Sequence, residues 1–108
     1  MRVIICDPMK PARAADIENT LEKLQEIVGG YIETVPIGQY VIICNEEGKL
    51  RNLKPNRKIG HDLIVGTFIF CAAGEDDFAD VPMEYMELYR YILDERMVGS
   101  TYGSNPDD

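Results

Sequence analysis

Apolar and polar positions follow two rhythms along this chain, one of period two and one of period close to four. Arg2–Cys6 (RVIIC) is β-branched and apolar and reads as a first strand, broken by Asp7, Pro8 and Pro11. From Arg13 to Val28 the apolar positions Ile17, Leu21, Leu24 and Val28 recur at helical spacing, with Glu18, Glu22, Lys23 and Glu26 between them. This predicts a helix over 13–28, stopped by Gly29 and Gly30. Tyr31–Val35 alternates and predicts a second strand; Pro36 and Gly38 turn the chain into a third, Tyr40–Cys44 (YVIIC), close enough for an antiparallel hairpin.

Asn45-Glu46-Glu47-Gly48 is a tight-turn sequence, after which Lys49 and Leu50 are expected to begin a short return strand. Arg51–Gly60 reads as a polar loop. Leu63–Ala72 (LIVGTFIFCA) reads as one long strand, with Gly66 marking a bulge or a close approach by another backbone or a ligand. Asp80 is a suitable N-cap for a second helix over Met83–Met97, whose buried stripe would be Met86, Tyr89, Ile92, Leu93 and Met97. The expected fold is α+β in the order β-α-β-β-(β)-β-α: a single, mostly antiparallel sheet of four to five strands with two helices packed on it. If the first two strands were parallel neighbours, a right-handed crossover would join them.

A length of 108 residues fits one domain, assigned to 1–98, followed by a disordered C-terminal tail at 99–108 that lacks any large aliphatic residue. The net charge of −8 repels nucleic acid and anionic lipid, so neither is an expected partner. No apolar run is long enough for a membrane span, and the start of the chain does not read as a signal peptide, so a cytoplasmic protein is expected. Cys6, Cys44 and Cys71 are widely spaced in apolar runs and read as buried free thiols of a reducing compartment. His61 is the sole histidine. No nucleotide-binding glycine loop, nucleophile elbow, metal-ligand spacing or required cofactor is discernible, and the acidic run Glu75, Asp76, Asp77, Asp80 lacks the spacing of a calcium loop.

One constellation interrupts the acidic background. Of eleven Lys and Arg, five lie within ten residues: Lys49, Arg51, Lys54, Arg57 and Lys58. Arginine forks onto phosphate oxygens and lysine adds a point charge, while Asn45, Asn52 and Asn56 supply amide donors and acceptors. Tyr31 or Tyr40 is placed to stack on a base, and Gly66 with Thr67 to admit a phosphate or ribose. The bland reading of the same residues is a solvated loop whose cations offset the acidic remainder.

The segments VGGYIETVP (28–36), NEEGKL (45–50), Asn56-Arg57, DLIVGTFIF (62–70) and GEDDF (74–78) occur in that order. Together they resemble a family of short uncharacterised proteins of phages, plasmids and their bacterial hosts. The resemblance runs from about Val3 to Tyr89 and departs from the family around Leu53–Arg57, where Lys54-Pro55 precede Asn56. It implies a mobile-element setting in the cytosol of a bacterial host and carries no activity with it.

Two functions are expected from these features. The first is a non-catalytic protein that sequesters a small anionic, nucleotide-type signal in a homo-oligomer, with Arg57, Lys49, Lys58 and Arg51 on the phosphates, Asn45 and Asn56 orienting them, Tyr31 stacking and Thr67 nearby. The second is an acidic DNA mimic or interaction protein that occupies the basic groove of a host nuclease or defence protein. A carboxylate-and-metal hydrolase has no motif behind it.

Overall fold

The computed structural model describes residues 1–99, so all of the expected tail except Gly99 lies outside the described residues. The fold is α+β, and every strand pair in it is antiparallel. In the main sheet the strand order is β2 (Arg13–Asp16), β1 (Arg2–Cys6), β7 (Phe68–Ala73), β4 (Tyr40–Asn45), β3 (Ile32–Ile37), with β8 (Phe78–Ala79) paired to β7. A second, two-stranded sheet is the hairpin β5 (Pro55–Ile59) and β6 (Asp62–Val65). The helices are α1 (Leu21–Val28) and α2 (Met86–Glu95), the latter entered through a 3-10 turn at Met83–Tyr85.

The near-continuous apolar runs of β1, β4 and β7 follow from a main sheet covered on both faces. Val3, Ile5, Val41, Ile43, Ile69 and Cys71 point to one side, where Leu24 and Val28 of α1 close over them. Ile4, Cys6, Ile42, Cys44, Phe68 and Phe70 point to the other, under the β5–β6 hairpin and α2. Register keeps the two sets apart: Ile42 opposes Phe70, which opposes Ile4, and Ile43 opposes Ile69, which opposes Ile5.

Several boundaries differ from the pattern-based expectation. The helix expected over 13–28 begins only at Leu21, because Arg13–Asp16 pairs with β1, Arg13 opposite Ile5 and Asp16 opposite Arg2. Thr20 caps the shorter helix, its hydroxyl accepting from Lys23 N at 3.2 Å, and Leu21 is left exposed. Lys49 and Leu50 lie in a turn rather than a return strand, and the expected polar loop at 51–60 contains β5. The single strand expected at 63–72 is two strands in two sheets, broken where Gly66 adopts φ +74°. A β-carbon there would meet Leu53 Cδ1 at 2.7 Å, so the close approach at Gly66 is made by a side chain of the protein itself. Asp80 does not cap a helix; its Oδ1 accepts from Arg2 N at 2.8 Å and holds the chain beside β1. The first two expected strands, β1 and β3, are not neighbours, so no crossover joins them.

Among the described residues, β3 borders the main sheet with no neighbour on its outer side. The two-residue loop Gly38-Gln39 makes Ile37 and Tyr40 the closing hydrogen-bonded pair, so the alternate residues Pro36 and Thr34 direct their backbone polar groups outward. Proline's missing N–H therefore falls on the open margin, where proline is tolerated.

Candidate functional site

The residues expected to hold an anion are brought into three separate places. Arg57 lies on β5 with its side chain wholly buried. Its guanidinium donates through Nε to Leu93 O (2.9 Å), through Nη1 to Asp7 O (3.2 Å) and Asn56 Oδ1 (2.6 Å), and through Nη2 to Lys10 O (2.8 Å) and Asp94 Oδ1 (2.9 Å). An arginine has five N–H donors, and here each has an acceptor within the chain. Asn56, equally buried, donates to Cys6 O and Gly66 O, both at 2.8 Å. Thr67 Oγ1 donates to Asp7 Oδ1 at 2.8 Å. The three side chains fasten the end of β1, the β6–β7 junction and the end of α2 to one another. Cys6 lies in this cluster, and burial pushes its thiol up to about 12, with Arg57 acting in the opposite direction.

Asn45 and Arg51 serve the C-terminus of α1. A helix leaves its last carbonyls without intrahelical partners and with partial negative charge. Asn45 Nδ2 donates to Val28 O at 3.1 Å and Arg51 Nη1 to Gly29 O at 3.0 Å. Asn45 Oδ1 also accepts from Glu47 N at 2.8 Å, which fixes the turn that follows β4. Gly30 leaves room for both side chains; a β-carbon there would sit 2.9 Å from Asn45 Nδ2 and 3.2 Å from Arg51 Nη1. The co-occurrence of VGGY and NEEG in the sequence thus has a local cause: one caps the other.

The remaining expected residues are at the surface. Lys49 borders a cleft of about 260 Å³ bounded by β3, the end of β4, the 46–53 turn and β6. Lys58 lies with Glu95 and Arg96 at a shallow depression on a different part of the surface. Tyr31 is 69 % exposed, and Tyr40 stacks on Phe70 with ring centroids 5.1 Å apart. The five cations of the basic segment do not converge on one cavity.

The cleft beside Lys49 has a different chemistry from the one its sequence neighbourhood suggested. Its walls carry Glu33, Glu46 and Asp62, with Leu50, Leu63 and Val65 as apolar surface and Cys44 at its base. None of the three carboxylates takes part in an ion pair among the described residues. Burial first, then the negative charge of Glu33, pushes the Cys44 thiol up to about 11, with Lys49 opposing. Glu33 and Cys44 are cross-strand partners on one face of the sheet, which is how an exposed glutamate of β3 comes to overlook the cleft. Among the described residues no group of three or more His, Cys, Asp or Glu is placed to hold a metal ion, so the arrangement is a charged recess rather than a coordination site. Sequence reasoning missed these carboxylates because they come from three separated segments.

His61 is exposed while the three thiols are buried and free, so no cysteine–histidine nucleophile is assembled. No helix among the described residues is long and apolar enough to cross a membrane. The chain is thus an α+β protein with a sheet covered on both faces, a saturated internal arginine and a carboxylate-lined cleft. It belongs to the DUF3846 family, a domain of unknown function, whose pattern matches residues 1–94. No curated protein and no solved structure matches it.

Proposed function

We propose that this protein is a non-catalytic binding module for a basic partner protein, with the carboxylate-lined cleft receiving a cationic side chain of that partner. The observation that carries this reading is the cleft's charge: Glu33, Glu46 and Asp62 against Lys49 alone. At about 260 Å³ it falls just below the roughly 300–1,000 Å³ of small-molecule pockets, a size for one long side chain. The chain's net charge of −8 adds long-range attraction for a basic surface. The resemblance to phage and plasmid proteins makes the basic groove of a host nuclease or defence protein the partner of choice, with carboxylates standing in for nucleic-acid phosphates.

Capture of a nucleotide-type anion is the weaker reading. It requires free, convergent cations, whereas Arg57 donates to five acceptors of its own chain and Arg51 to Gly29 O. The two readings separate in one NMR titration, with an oligo-arginine peptide in one arm and a cyclic dinucleotide in the other. The peptide is expected to shift the amides of Glu33, Glu46 and Asp62, less so as salt screens the charges, and to lose this effect in the E33Q/E46Q/D62N variant. Peptide shifts confined to the 75–80 turn, or none at all, would sink the proposal; dinucleotide binding at Lys49 would put anion capture in its place.

A further inference from the structure

A second recess lies on the same side of the main sheet but has the opposite character. It is an apolar crevice of about 150 Å³ between the β3–β4 loop, the β5–β6 hairpin and α2, lined by Ile37, Tyr40, Ile59, Phe70 and Tyr89 with Arg96 at its mouth. The aromatic walls form one packed unit. Tyr40 stacks on Phe70 at 5.1 Å between centroids, and Tyr89 tilts against both, at 4.6 Å from Tyr40 and 5.4 Å from Phe70. The neighbouring Tyr89 hydroxyl, and then burial, push the Tyr40 phenol up to about 12.

Arg96 takes part in no ion pair among the described residues, although every salt-bridged arginine elsewhere has its carboxylate within 3.3 Å. Arg96 follows directly on α2, where a guanidinium also neutralises the negative end of the helix dipole.

We propose that this crevice is a binding site for a small aromatic carboxylate, its ring held against Tyr40, Phe70 and Tyr89 and its carboxylate paired with Arg96. An apolar cavity of about 150 Å³ accepts one benzene ring, and nothing as large as a nucleobase with its sugar. Rings stack on rings in offset or tilted geometry, which the existing trio already adopts. The planar guanidinium matches a carboxylate through two parallel hydrogen bonds. Apolar walls alone would suit any oily group; the lone guanidinium at the mouth selects an anion on a short stem. The site uses no residue of the carboxylate-lined cleft and stands independently of the function proposed for it.

The test is a chemical-shift titration of the full chain with phenylacetate and, in parallel, with toluene as its uncharged counterpart. Phenylacetate is expected to shift the methyl groups of Ile37 and Ile59 and the amides of Tyr89 and Arg96, and to bind more tightly than toluene. Arg96→Gln should weaken phenylacetate roughly tenfold while leaving toluene unchanged, because it removes a charge-assisted hydrogen bond and not the apolar walls. Arg96 is exposed, so the variant keeps the fold against which the shifts are read. Three results would overturn the assignment: no shift at millimolar phenylacetate, shifts confined to other cations while the crevice methyls stay still, or equal binding of both compounds that Arg96→Gln does not alter.

Discussion

Arg57 Nη2 lies 2.9 Å from Asp94 Oδ1, the arginine side chain wholly buried and the aspartate 37 % exposed. The pair joins β5 to α2, and the same carboxylate oxygen accepts from Ala12 N at 2.7 Å. Three segments distant in sequence thus meet at one atom, and a charge enters the interior only because every donor on it has an acceptor.

Removal of that arginine is expected to be severe. Arg57→Met leaves the carbonyls of Leu93, Asp7 and Lys10 without their donor and should cost about 3–5 kcal/mol, the range for breaking one partner of a buried pair. Arg57→Lys should recover little, since an ammonium cannot reach acceptors arranged around a planar fork. Asp94→Asn keeps an oxygen at the shared position and should cost only about 1 kcal/mol. Urea denaturation midpoints rank the three; equal losses for all would refute the account.

The cap on α1 makes a second prediction. Asn45→Ala forfeits the bond to Val28 O and the bond from Glu47 N and should destabilise by about 1–3 kcal/mol. Asn45→Asp should be worse than alanine, because it sets a negative charge against a helix C-terminus. Arg51→Ala, at an exposed site, should lose only about 0.3–1 kcal/mol. Thermal melts of the single variants check the order Asp, Ala, then Arg51.

Gly66 should not tolerate a side chain. Its φ of +74° disfavours any residue with a β-carbon, and that carbon would collide with Leu53. Gly66→Ala is expected to lose about 1–3 kcal/mol, and a Leu53→Ala background should return part of that by opening the space. Strict additivity of the two changes would show that the contact contributes nothing.

Alkaline pH should loosen the fold through its thiols. Burial raises Cys6 from the ordinary 9.0 to about 12 and Cys44 and Cys71 to about 11. The unfolded chain, whose thiols are ordinary, releases these protons first as pH climbs past 9.0, so stability present below that pH is lost progressively toward about 11 and beyond. Denaturation midpoints in reducing buffer should fall over that window, and Cys71→Ala should make the fall shallower. A slope unchanged by that substitution would mean other groups govern it.

Much of this architecture was legible in the amino-acid order, and the exceptions share one cause. β1, β4 and the β3–β4 hairpin announce themselves through β-branched runs and a Pro-Ile-Gly turn, because water-averse side chains leave a periodic trace. β5 leaves none: its buried positions are Asn56 and Arg57, polar residues that go inside because the tertiary structure supplies acceptors. β2 is masked by a helical pattern because Ile17, outside α1, happens to sit at helical spacing from Leu21. The candidate cleft failed for a related reason. Basic residues close in sequence diverge in space, and the carboxylates of Glu33, Glu46 and Asp62 converge only through strand pairing and the seating of one hairpin on the sheet.

The position of Pro36 bears on how the molecule behaves among its own copies. A bare strand flank invites the next molecule to lengthen the sheet, and each addition exposes a fresh flank for another. On β3 the proline removes one donor from the outward row, which works against ribbon-like growth from that side. Sheet extension is accordingly disfavoured across this flank, which leaves β2 at the opposite margin as the other edge open to pairing.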